Sequence, residues 1–175
     1  MTRTALLIID VQNGMFKRGS SVCNDAKLLY NLKKVTVSAK SEGMPIFYIQ
    51  HETKGKQLNR NSIEWQIHPF FKVEKGDEVI HKTTPDSFHQ TNLEQKLRER
   101  QIQHLVISGI QTEVCVDTTC RSAFSKGFSI DLILDAHSTW SSPDLSAHKI
   151  IQHHNRTLGW FTNLLSTDGF VERLK

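Results

Sequence analysis

Three side chains in this sequence could together perform nucleophilic catalysis: the thiol of Cys115, the carboxylate of Asp10 and the ammonium of Lys82. A thiol attacks a carbonyl as its thiolate, so it needs a base to take its proton or a positive field to favour the anion. Lys82 would supply the field. Asp10 would take the proton and later return it to a leaving nitrogen, as general base and then general acid. Cys115 stands in "GIQTEVCVDTTC", between an apolar run, "HLVISGI", and a helical stretch closed by Gly127. At a helix start it would lie near free backbone N–H groups and the positive end of the helix dipole, which favour a thiolate. The same tight turn can aim N–H groups at a developing oxyanion. This is the logic of a nucleophile elbow, with Cys in the place of Ser. Taken singly, each residue has an ordinary reading: Asp10 a cap, Lys82 a surface lysine, Cys115 a small buried hydrophobe. Their common location is what singles them out.

That location follows from the elements. Apolar runs at 5–10, 44–51, 78–82, 104–110 and 128–136 read as buried strands. Between them, "DAKLLYNLKKVTVSAKSEG" and "TNLEQKLRERQ" carry apolar residues at helical spacing, and a third helix follows Cys115. "PDLSAHKIIQHHNRTLGWFTNLL" predicts a long final helix with an interruption near Gly159, and "LLST" the start of an edge strand. Continuous apolar strands alternating with helices predict a three-layer α/β/α domain, a doubly wound and mostly parallel sheet of Rossmann-like type. In such a sheet ligands bind beyond the carboxyl ends of the strands. Asp10, His51, Lys82 and the Cys115 turn all fall there. The stretch 51–77 breaks the rhythm; it is long, polar and holds Trp65, Phe70 and Phe71, which predicts a lid or a subunit contact.

The 175 residues suit a single domain, 1–175, with its own core. No apolar run approaches the roughly 18 residues of a membrane span, and the N-terminal run ends in Asp10 without a cleavage signal. Three cysteines, Cys23, Cys115 and Cys120, make no disulfide framework and fit a reducing, cytoplasmic compartment. The net charge of +4 is scattered over helix faces and predicts no nucleic-acid partner. His148, His153 and His154 lack the i,i+4 spacing of a zinc helix and read as a solvated face. His81 alternates away from Lys82 and reads as structural.

Three segments resemble the isochorismatase-like cysteine hydrolases over nearly the whole chain. They are "ALLIIDVQNGMF", "VIHKTTPDSFHQTNLEQKLRER" and "HLVISGIQTEVCVDTTCRSAFSKGFSIDLILDA". The resemblance implies an Asp10–Lys82–Cys115 triad. It also implies a cis peptide at Ile110–Gln111 and an oxyanion hole from the backbone N–H groups of Gln111 and Cys115. It implies a hydrolase for an amide or carbamoyl C–N bond of a small molecule, working through a thioester, and a homodimer or homotetramer. Isochorismatases proper cleave a vinyl ether instead, which needs the acid more than the thiol. The metal motif of related nicotinamidases, Asp-x-His after the second strand, is replaced here by "YIQHETKGK", so neither a metal nor another cofactor is expected. Phe16, His51, Trp65, Phe88 and Glu113 are the expected pocket residues. A nucleotide-binding module would need a glycine-rich phosphate loop, and "DVQNGMFKRGS" is not one. A silent scaffold would have no need of the intact triad.

Overall fold

The computed structural model describes residues 3–17 and 19–174; the outermost ends of the expected domain lie outside them. Six strands form one sheet: β1 Arg3–Ile9, β2 Ile46–His51, β3 Glu78–Lys82, β4 Ile102–Ile110, β5 Ser129–Ser138 and β6 Asn163–Leu165. Five α-helices accompany them: α1 Asp25–Ser41, α2 Leu93–Glu99, α3 Asp117–Ser125, α4 Ala147–Leu158 and α5 Thr167–Arg173. The strand order is β3-β2-β1-β4-β5-β6, and every pairing is parallel. The chain therefore winds outward from β1 in one direction, then restarts on its other side at β4. Asp10 and the Cys115 turn leave neighbouring strands at that switch point, where such sheets hold ligands.

Both faces are covered, which is why the central strands are apolar on both sides. Ala5, Leu7 and Ile9 face α2 and α3, together with Phe47, Ile80, Leu105, Ile107 and Cys115. Leu6 and Ile8, together with Tyr48 and Val106, pack against Leu32 of α1 and Phe170 of α5. Among the described residues no helix is long and apolar enough to cross a membrane.

The final helical stretch breaks at Gly159, as expected, but starts later than predicted, at Ala147. Ser146 caps α4 by accepting from the Lys149 N–H, and α4 ends at Leu158 before Gly159. The edge strand expected from "LLST" forms as β6, starting one residue earlier at Asn163 and pairing on β5, so "NLL" does not continue the helix. Helix α5 was not foreseen: it has seven residues with a glycine among them, too short for a helical period to register. Ser166 caps it through the Gly169 N–H, and Phe170 is fully buried beneath it.

After His51, which closes β2, residues 52–77 run back over the carboxyl ends of β1 and β2 with no α-helix and only isolated bridges. Residues 64–68 lie antiparallel to 11–14, with Asn13 N–H donating to Gln66 O, Gly14 N–H to Glu64 O and His68 N–H to Val11 O. Gln12, fully buried, binds the segment to β2: its side chain donates to Trp65 O and His51 O and accepts from the His51 N–H. Gln50 donates to the same Trp65 carbonyl at 2.8 Å.

Candidate active site

Asp10 is the first residue past β1 and has left-handed backbone, φ 52°. Its amide still donates to Ile49 O, so the carboxylate is held tight against the sheet edge. One strand over, β4 approaches β1 closely at Gly109, which pairs with Ile9. A Cβ there would lie 2.1 Å from Ile9 O, and φ is +127°. Only glycine fits that combination. The Ile110–Gln111 peptide bond that follows is cis.

The chain then makes a single π-helical turn, Thr112–Val116, before α3 begins at Asp117. Cys115 thus sits in the strand-to-helix turn, as expected, two residues ahead of the α-helix. Turns of this kind carry one residue more than an α-turn and recur at functional sites. The Gln111 carbonyl accepts both the Val114 and the Val116 N–H at 3.1 Å. The intervening Cys115 N–H takes no part in that pair.

Lys82 ends β3, and its side chain crosses the end of β2 to reach the other groups. The fully buried ammonium lies 2.7 Å from Asp10 Oδ2. It donates to Cys115 Sγ at 3.2 Å and to Thr84 O at 3.1 Å, and meets His51 Nδ1 at 2.9 Å. An ammonium has no acceptor, so His51 accepts through Nδ1 and is neutral. Burial, then the Lys82 charge, lowers its pKa and keeps it so. The Asp10 carboxylate, a His51 ring nitrogen and the Cys115 sulfur lie within 4.8 Å of one another. That donor set could ligate a metal, but it surrounds the lysine ammonium, which already supplies the positive charge. Both Asp10 oxygens are buried and lack a hydrogen bond of good geometry, so they remain open to accept a proton.

The sequence suggested that the thiolate would be favoured at rest. The environment acts the other way. Burial, and next the Asp10 carboxylate, push the Cys115 thiol up to about 12, against the opposing pull of Lys82. Cys115 is 8% exposed, and in that setting desolvation outweighs one ammonium.

Of the other expected pocket residues, His51 joins the cluster and three aromatics do not. Trp65 packs its ring edge-on against His81, 5.3 Å between centroids; His81 leaves β3 on the face opposite Lys82. It is the Trp65 carbonyl that meets the strand ends. Phe88 is in the core, stacked on Phe128 at 5.9 Å, and Phe16 meets His68 edge-on at 4.8 Å. Glu113 Oε1 accepts from Gln111 Nε2 at 2.6 Å and Thr139 Oγ1 at 2.8 Å, which ties the turn to the segment after β5. Sequence reasoning gave no role to Gln12, Thr112, His137, or the Ser87–Thr119 pair. In that pair the hydroxyls lie 2.8 Å apart and join the loop after Lys82 to α3. All are buried polar residues, and burial is a property of the fold that their mostly polar neighbours in sequence do not announce.

The isochorismatase domain profile matches residues 4–159. The chain belongs to the isochorismatase family. It is therefore a hydrolase of that family. The chain is 34% identical to the isochorismatase family protein YddQ of Bacillus subtilis over 140 residues, 78% of each. It is 26% identical to the ureidoacrylate amidohydrolase RutB of Caulobacter segnis, over 98% of this chain and 87% of that one. A crystal structure of an isochorismatase family protein superposes with a TM-score of 0.89 at 34% identity, over 95% of this chain and 99% of the other. The triad positions, the glycine-tight strand pair and the π turn all lie inside the matched region.

Proposed function

We propose that this hydrolase cleaves a C–N bond, amide or carbamoyl, of a small molecule through a thioester on Cys115. The observation that carries the reading is the 3.2 Å approach of Cys115 Sγ to Lys82 Nζ, with the open Asp10 carboxylate on the same ammonium. A thiol held beside a buried carboxylate is the arrangement that general-base attack requires.

Asp10 takes the thiol proton as sulfur bonds to the carbonyl carbon. Lys82 stabilises the emerging thiolate. The oxyanion is received by the N–H groups of Gln111 and Cys115. Asp10 then protonates the nitrogen as the C–N bond breaks, and ammonia or an amine leaves a thioester behind. A water gives its proton to Asp10 and adds to the thioester. As the C–S bond breaks, Asp10 returns the proton to sulfur. One water is consumed, and acid and amine are released. RutB, an amidohydrolase by name, supports C–N chemistry for this chain as well.

The test is ammonia or amine release across a panel of small amides, ureas and carbamoyl compounds. Wild type is expected to turn over one class, with Cys115→Ala reduced to background at an unchanged thermal midpoint. A silent panel together with cleavage of vinyl ethers would replace the reading.

A further inference from the structure

His137 is fully enclosed and plays no part in the chemistry above, yet it contacts the turn that carries Cys115. The register of β5 against β4 puts it there. Ile107 pairs with Leu132, but Gly109 pairs with His137, so Ser108 alone stands opposite residues 133–136. This bulge frees backbone groups, and side chains from two helices satisfy them. Asn155 of α4 donates Nδ2 to Leu134 O at 3.0 Å, and Asn31 of α1 donates to Asp135 O at 2.7 Å. Because Asn155 spends its N–H on Leu134, its Oδ1 is the atom that faces His137 Nε2, at 2.9 Å. Nε2 therefore carries the proton, and Nδ1 is left to accept from the Thr112 hydroxyl at 2.9 Å. Thr112 is wholly buried and opens the π turn. A single polarised chain thus runs from Thr112 through His137 and Asn155 to the bulge.

We infer that His137 is a positioning residue: its hydrogen bond to Thr112, fixed in tautomer by Asn155, sets the π turn so that Cys115 meets Lys82 and Asp10. The inference rests on the nucleophile role proposed for Cys115. The bulge gains its purpose from this contact, since an unbroken ladder would not bring His137 opposite Gly109. An error of about 1 Å in such a turn costs up to roughly 100-fold in rate.

The test uses two pairs of variants of the full chain. Thr112→Val removes the donor at constant size, and Thr112→Ser restores it. His137→Gln keeps a group near Nε2 but none at Nδ1; His137→Asn places an acceptor near Nδ1. Crystal structures of Thr112→Val and His137→Gln should show Cys115 Sγ beyond hydrogen-bond reach of Lys82 Nζ, more than about 4 Å away. Thr112→Ser and His137→Asn should retain the contact. On the best substrate of the panel, the first of each pair should lose about 10- to 100-fold in kcat with KM within about two-fold, and the second should recover most of it. An unmoved turn with unchanged kcat in Thr112→Val overturns the inference. So do equal losses in all four variants that track the thermal midpoint. A moved turn in a protein whose Cys115→Ala variant still releases ammonia would sink the nucleophile role and leave the positioning intact.

Discussion

Because burial and the Asp10 carboxylate hold the Cys115 thiol up at about 12, the thiol does not ionise unaided at neutral pH. In the proposed mechanism Asp10 therefore has two opposed effects: its charge suppresses the thiolate, and its lone pairs would receive the proton during attack. Asp10→Asn separates them. The variant is expected to lose about 10²- to 10⁴-fold in amide turnover, while iodoacetamide labels Cys115 faster than in wild type at pH 8. Slower labelling would contradict the electrostatic assignment. His137 offers a second residue-scale test. Burial lowers its pKa from 6.5 to about 4. A depressed pKa means the unfolded chain binds the proton first, so the contribution is complete above pH 6.5 and is lost as pH falls toward 4. The loss is about 3 kcal/mol. Denaturant midpoints of wild type should fall over that window, and those of His137→Asn should fall less. Parallel curves would show that His137 is not the group responsible.

Among the elements, the strands were legible because buried parallel strands are written as unbroken apolar runs, and "ALLIID" or "HLVISGI" can hardly be anything else. Of the backbone around Cys115, only the cis Ile110–Gln111 bond was expected, and that from the family resemblance. Nothing in "TEVCV" separates a π turn from the first turn of an α-helix, since both bury the same residues. The bulge in β5 is equally silent, because "LILDA" continues the apolar run straight through it. Trp65 was legible as a packed aromatic but not in its direction, which depends on the antiparallel seating of 64–68 upon 11–14. Gly109 is the element-scale prediction. A methyl group there would strike the Ile9 backbone at 2.1 Å, in a conformation only glycine adopts readily. Gly109→Ala should destabilise by about 3 kcal/mol or more and separate β4 from β1 next to Asp10. A thermal midpoint unchanged in that variant would show that the strand pair yields more easily than its geometry implies.

At the scale of the molecule, strand order does what no single segment can. The order β3-β2-β1-β4 sets Lys82, His51, Asp10 and the Cys115 turn side by side, though Asp10 and Cys115 are far apart in the chain. That juxtaposition was legible only as a consequence of the doubly wound fold, with each residue at a strand end. Its chemistry was legible less well, because desolvation is a property of the assembled core. The far end of the sheet is held independently. Fully buried Asp131 of β5 contacts His104 of β4, Asn163 of β6 and Arg173 of α5, and joins the last helix to the sheet. The groups proposed to react thus occupy one end of a sheet whose other end is fixed by charge, so substitutions among them should alter rate before they alter folding.

The central claim is the covalent intermediate, and it is tested most directly by trapping it. Wild-type protein mixed with its best amide substrate and quenched in acid within the first turnover should gain the mass of the acyl group on the peptide that contains Cys115. Hydroxylamine should remove that mass, and Cys115→Ala should never acquire it. Turnover at the full rate with no adduct on Cys115, and with the alanine variant active, would contradict the account.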